Sequence, residues 1–216
     1  MKNNLKVNDV ADLGNNVKTL IKNEHCSVLM LNDSTGEGIM TIYKVMPGVM
    51  ICFSDMHMEK YDSEFELQKD KKVLCIDHCR EGRIEMEVQP GVFCIMQENE
   101  LRLGNRKNHK GISYYPLRHY HGVSVFMDVE ETQKALDTMF HGFSANIAEL
   151  RTRYCTQNKP YVIRNDEGLN RIISGFYQRN IERPEMSAIK EYYQIKVVEI
   201  LLYLETMTME NSREIK

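Results

Sequence analysis

The chain has 216 residues, 42% of them hydrophobic and 27% charged, with a formal net charge of −3. That is the make-up of a globular domain rather than a disordered segment, and a chain so nearly neutral is not a dedicated polyanion binder. No apolar run approaches the roughly 18 residues of a membrane span, and the opening MKNNLKVNDV lacks the apolar core of a signal peptide, so a cytoplasmic location without membrane contact is expected.

Residues 1–24 read as an N-terminal segment, and residues 25–128 as a β-rich unit. Short apolar runs separated by turn residues predict strands over Ser27–Leu31, Gly38–Met46, Val49–Phe53, Val73–Cys79, Arg83–Val88, Val92–Gln97, Glu100–Gly104, Ile112–Tyr115 and Gly122–Asp128. Met46-Pro47-Gly48 and Gln89-Pro90-Gly91 are turns by composition. Many short strands with no helix between them suggest a closed or sandwiched antiparallel sheet.

From residue 129 to 216 the period becomes helical. Asp128-Val-Glu-Glu131 has the form of a capping box. A helix carrying Ala135, Leu136, Met139, Phe140 and Phe143 follows. A second is expected over Ser144–Tyr154, then an extended Tyr161–Ile163. A third helix, capped by Asn165 or Asp166, carries Leu169, Ile172, Ile173 and Phe176. A fourth opens at Pro184 and carries Met186, Ile189, Tyr193, Val197, Ile200 and Leu204, with Ile195, Val198 and Leu202 as a second stripe. A helix with two apolar stripes must bury more than one face, which leaves a face for a second copy of the chain.

The segment Val73-Leu-Cys-Ile-Asp-His-Cys79, Arg80-Glu-Gly-Arg83, Ile84-Glu-Met-Glu-Val88 suggests a hairpin turning at Glu81-Gly82. In that register Cys75, Asp77, Cys79, Ile84, Met86 and Val88 share the more apolar face, and Ile76, His78, Glu85 and Glu87 share the other. Asp77 is then a carboxylate facing an apolar interior, which is costly unless it is paired. Its partner is either a ligand or a protein group such as Arg80 or Arg83, and an internally satisfied carboxylate is the commoner outcome.

The six cysteines (Cys26, Cys52, Cys75, Cys79, Cys94 and Cys155) sit mostly in apolar contexts and read as buried free thiols. Cys75 and Cys79, four apart on a strand, stand roughly 13 Å apart and cannot share one tetrahedral metal without a bend. His119-Tyr-His121 is a better metal candidate, because two residues at i and i+2 on a strand point the same way. Its following residues, Gly122-Val-Ser-Val-Phe126, supply no carboxylate before Asp128. No phosphate-binding glycine loop and no nucleophile elbow occurs. The basic stretch around Arg102, Arg106, Lys107 and Lys110 reads as a solvated loop. No metal or cofactor is expected.

Leu74-Cys-Ile-Asp-His-Cys-Arg-Glu-Gly-Arg-Ile-Glu85, followed by Tyr114-Tyr-Pro-Leu-Arg-His-Tyr-His-Gly-Val-Ser-Val-Phe-Met-Asp128, resembles the N-terminal half of AraC-type transcription regulators. A CREGR-like element and a P-x-x-x-Y-x-G-hydrophobic strand recur there, matched here by Pro116, Tyr120 and Gly122. The Tyr161–Arg164 segment and the closing helix extend the resemblance over most of the chain from about residue 25.

The resemblance implies an α+β fold: a cupin-like antiparallel β-barrel, or jelly roll, followed by about four α-helices. It implies a non-enzymatic domain in which the barrel receives a small-molecule effector and the helices mediate homodimerisation. Promoter DNA would be bound only by a helix-turn-helix half beyond Lys216. The expected pocket residues are Cys75, Asp77, Cys79, Met86 and Cys94, with His119 and His121 at the rim. The expected dimer contacts are Tyr193, Val197, Ile200, Leu201 and Leu204, so Glu at 200 and 204 is expected to yield monomers. Two alternatives stand beside this: a metal-dependent cupin enzyme using His119 and His121, and a dimerisation module with no ligand.

Overall fold

The computed structural model describes residues 16–63, 71–89, 92–105, 111–155, 160–164, 166–178 and 188–207. Antiparallel strands run to residue 128 and helices dominate afterwards, which is the expected α+β order. The strands are β1 (Val17–Lys22), β2 (Cys26–Asp33), β3 (Gly36–Met46), β4 (Val49–His57), β5 (Lys60–Ser63), β6 (Val73–Gln89), β7 (Val92–Gln97), β8 (Glu100–Gly104), β9 (Gly111–Tyr114) and β10 (Tyr120–Asp128). They are followed by α1 (Val129–Met139), α2 (Ile147–Tyr154), β11 (Tyr161–Arg164), α3 (Glu167–Gln178) and α4 (Ala188–Thr206).

The main sheet has the order β1-β2-β3-β4-β10-β6-β8-β11. A smaller sheet holds β7, the second half of β6, β9 and β5. Together they form a curled antiparallel half-barrel. Two strands lie outside the expected β-rich range. β1 falls in the N-terminal segment and pairs with β2, and β11 falls among the helices and pairs with β8.

The expected hairpin at Glu81-Gly82 is not there. β6 runs unbroken for 17 residues. Its first half pairs with β10 and β8, and its second half with β7 and β9. The cause is local. Gly82 has φ +85°, and the register with β10 slips by one residue between His121 and Gly122. That slip is a β-bulge, and a bulge with a left-handed glycine bends a strand and carries it from one sheet into the next. A Cβ at Gly82 would sit 2.1 Å from the His119 carbonyl oxygen, so only glycine permits this approach.

One face of the main sheet is covered by helices. Tyr43, Ile51, Phe53, Leu74, Ile76, Leu101, Leu103, Val123, Val125 and Met127 form one core with α1 to α4. The α4 residues Tyr193, Val197, Ile200, Leu201 and Leu204 have no exposed surface and lie in that core. The Tyr193 ring packs against Tyr43 and Phe53 at centroid distances of 5.1 and 5.7 Å. These five residues were the expected dimer contacts. They are spent within a single chain, and the apolar residues left exposed on α4 are Ile195 and Leu202. The expected contacts were drawn mostly from the first stripe, which packs on the sheet, whereas Ile195 and Leu202 of the second stripe are exposed.

Helix starts follow local chemistry. Asp128 accepts from the backbone N–H groups of Glu130 and Glu131, and Lys71 Nζ reaches its other oxygen at 2.7 Å. Asn146 caps α2 in the same way, later than the expected Ser144 start, and Asp166 accepts from Leu169 N at 2.8 Å. In α1, Leu136 is buried while Met139 and Phe140 are exposed. Gly48 closes the Pro47 turn at φ +78° and presses on Thr132, where a Cβ would meet the backbone nitrogen at 2.7 Å. Pro90 and Gly91, Arg106, Lys107 and Lys110, Asn165, Pro184 and Met186 lie outside the described residues, as does the side chain of Val88.

Candidate functional site: the inner face of the half-barrel

Directly opposed residues in a sheet share a face. Across the main sheet, Arg102, Asp77, Ser124, Cys52, Ile42 and Ser27 form one row. Cys79, Gly122, Ser54, Met40 and Leu29 form the next row on the same face. Cys75, Phe126 and Met50 follow on the other side. This is the face turned from the helices toward the smaller sheet. Cys79 shares a core there with Ile84 and Met96 of the smaller sheet.

The row centres on a buried ion pair. Arg102 and Asp77 are 3% and 1% exposed. Arg102 donates to one Asp77 oxygen from Nε at 3.1 Å and from Nη2 at 2.7 Å. Ser124 Oγ donates to the other oxygen at 2.6 Å. Arg102 Nη1 also approaches Cys94 Sγ at 3.4 Å, so β8 of the main sheet contacts β7 of the smaller one. Burial opposes the guanidinium charge, but Asp77 and Cys94 more than restore it, and Arg102 is held above its ordinary pKa. Asp77 therefore faces inward as expected, but its partner is neither Arg80 nor Arg83. Arg102 had been assigned to a solvated loop, because its place directly across from Asp77 depends on the β6–β8 register, a long-range pairing.

Cys79 is not a poised nucleophile. Burial, with Glu100 and Glu98 adding to it, pushes the Cys79 thiol up to about 12. Five of the six cysteines are buried and Cys155 is half-buried, all of them as free thiols. Around the ion pair, Met40, Ser54, Ser124 and Phe126 keep partial exposure although they lie mid-sheet.

Of the seven expected pocket residues, the fold brings five to this inner side. Cys75, Asp77 and Cys79 line the first half of β6, and Met86 opposes Cys94 in the smaller sheet. Their grouping survives the loss of the hairpin because a one-residue bulge inverts the alternation between Cys79 and Ile84, as a two-residue turn would.

His119 and His121 are not at this face. The His121 ring lies 5.4 Å from the Tyr177 ring of α3, on the helix-bearing side. Burial lowers its pKa, partly offset by Asp55. His119 Nε2 lies 3.3 Å from Glu81 Oε2, and its ring lies 5.1 Å from that of His57. Among the described residues, the set that brings potential metal-ligand atoms together contains His119 with Asp55 and His57, not with His121.

On the same side, His78 Nδ1 and the Tyr177 hydroxyl share a hydrogen bond of 2.9 Å. Burial, reinforced by Arg80, pushes the His78 pKa down to about 4. Arg80 itself stacks over Tyr177 at 4.9 Å. The expected cross-strand pairing of His78 with Glu85 does not form, because the two residues lie on either side of the bulge along one continuous strand. Among the described residues, no helix is long and apolar enough to cross a membrane.

No family model and no curated protein matches the sequence. Solved structures similar to the chain include an unsaturated fatty acid-bound ToxT from Vibrio cholerae, 14% identical, covering 73% of this chain and 54% of that one with a TM-score of 0.40. The AraC-like transcriptional activator CuxR is 13% identical over 84% of this chain and 59% of its own, with a TM-score of 0.37. The EutQ protein of Clostridium difficile is 11% identical over 49% of this chain and 72% of its own, with a TM-score of 0.35. The chain thus spans little more than half the length of either of these regulators.

Proposed function

We propose that this chain is the effector-sensing and dimerisation domain of an AraC-type transcription regulator, acting on a helix-turn-helix DNA-binding half outside these residues. The sequence resemblance over Leu74–Glu85 and Tyr114–Asp128 supplies the family. One observation supports the sensing role. At the centre of the sheet, Ile51, Phe53, Leu74, Ile76, Val123 and Val125 on the helix-bearing face are buried, whereas Met40, Ser54, Ser124 and Phe126 on the inner face remain half-exposed around the Arg102–Asp77 pair. A ligand-free module would seal that face, as small barrels do when side chains fill them. A mostly apolar lining with a few convergent polar groups suits a small organic molecule.

The mechanism is a population shift. A molecule seated on the inner face touches β4, β6 and β10, whose opposite faces carry α3 and α4. It favours the helix arrangement that it binds better and so biases the placement of two DNA-binding halves. Engaged Asp77 and protonated Cys79 favour binding over catalysis. Native mass spectrometry of the purified chain, followed by a small-metabolite thermal-shift screen, tests this reading. The expected result is a dimer that retains or accepts an organic molecule, with binding lost in Ser54→Trp, which fills the inner face. A chain that retains nothing and gains stability from no compound, or a Ser54→Trp variant that binds like the parent, overturns it.

A further inference from the structure

We propose that Asp55, His57 and His119, with Glu81 supporting His119, form a surface site for one divalent transition-metal ion of the zinc class. The site goes beyond the sensor reading and does not depend on it. Asp55 and His57 are two apart on β4, so they point to the same side. His57 Nε2 lies 3.0 Å from Asp55 Oδ1. One ligand atom from each of Asp55, His57 and His119 lies within 4.8 Å of the others. Glu81 stands outside that trio, but its Oε2 lies 3.3 Å from His119 Nε2 and supports this imidazole. A tetrahedral zinc with bonds of about 2.0–2.1 Å holds its ligand atoms roughly 3.3 Å apart. The Asp55–His57 pair already has about that spacing, and His119 lies within 4.8 Å of both, so small side-chain rotations bring three protein ligands to one ion and leave a fourth position for water.

The fold builds this convergence deliberately in one sense: the β6 bulge makes it possible. Without the left-handed Gly82 tucked under the His119 carbonyl, β6 would not bring Glu81 beside His119. Arg80 Nε lies 3.4 Å from Glu81 Oε1, which engages that oxygen and leaves Oε2 turned to the imidazole. Support of this kind orients metal ligands. Two carboxylates balance a dication, and two imidazole nitrogens favour zinc, cobalt or nickel over calcium and magnesium, which prefer all-oxygen shells. The site differs from the His119/His121 pair expected from the sequence, since His121 turns to Tyr177. It also lies on the opposite side of the sheet from the effector face.

The test is calorimetric titration of the chelator-treated chain with zinc sulfate, with calcium chloride as the comparison ion. One zinc per chain is expected, with no calcium uptake. His57→Ala and His119→Ala should each weaken zinc binding by at least about tenfold, and Glu81→Gln by about 10- to 100-fold, a range typical for groups that support a metal site. His121→Ala should bind like the parent. The His57 and His119 side chains are 59% and 36% exposed, so the variants should keep the parent's circular dichroism. A parent chain that takes up no zinc overturns the proposal. So does unchanged binding in both His57→Ala and His119→Ala, or loss through His121→Ala alone. Because this readout is zinc uptake, it is separate from effector binding at the inner face.

Discussion

The two faces of the main sheet are made by alternate residues of the same strands, yet they differ in kind. Along β10, Val123, Val125 and Met127 enter the helix-covered core, while Ser124 and Phe126 look inward and stay half-exposed. Along β6, Leu74 and Ile76 join that core, while Cys75, Asp77 and Cys79 face the smaller sheet. The outer face holds the molecule together by apolar burial, at roughly 1.5–3 kcal/mol for each large side chain. The inner face carries a charged pair that apolar residues of equal volume would match in stability. A strand in a half-barrel can therefore separate folding from recognition residue by residue.

The most severe way to break this contrast is to place charge on the outer side. Ile200 and Leu204 are wholly buried in α4, so replacing both with Glu should abolish cooperative unfolding and lose more than about 5 kcal/mol. The sequence-based expectation for the same double variant was a folded monomer. Circular dichroism melts with sedimentation separate the two outcomes, and a folded, monomeric double variant would place α4 at an interface after all.

On the inner side the expected loss is smaller and has a different signature. Arg102→Ala leaves Asp77 buried without its cation and should cost about 3–5 kcal/mol in urea unfolding. Replacing the pair together, Asp77→Leu with Arg102→Met, should recover most of that loss. If the double variant is as unstable as Arg102→Ala, the pair itself is structural, and the distinction between the two faces fails.

These differences also explain what the sequence reveals. Alternation and turn residues place most strands, since each side chain's face follows from a period of two. Glu100–Gly104 and Val92–Gln97 match to the residue. Asp128 was legible as a cap because capping is local. The bulge at Arg80, with the left-handed Gly82 beside it, was not, since a turn and a bulge both draw on a nearby glycine and invert the alternation alike. Arg102 and the true surroundings of His119 were hidden for a further reason. Both depend on registers between strands distant in sequence, as do the β6–β8 pairing and the approach of β4 to the β10 entrance. The burial of Tyr193 and its neighbours shows the limit of a hydrophobic stripe, which states that a face is covered but not by what.

The smallest of the expected effects concerns His78, a buried polar residue on the helix-covered side. Its pKa is pushed down from 6.5 to about 4, so the folded state keeps it neutral where the unfolded chain takes up a proton. Its contribution to stability is complete above about pH 6.5 and is lost as pH falls toward 4. The full difference is about 3 kcal/mol. His121 is lowered as well and acts in the same direction. His78→Gln should flatten the fall in unfolding free energy between pH 6.5 and pH 4 relative to the parent. An identical slope in parent and variant would mean that His78 is hydrated or charged in the folded state, and that the β6–α3 contact through Tyr177 is loose. A flattened slope would make the same contact a point where acidity loosens α3 from the sheet without touching the inner face.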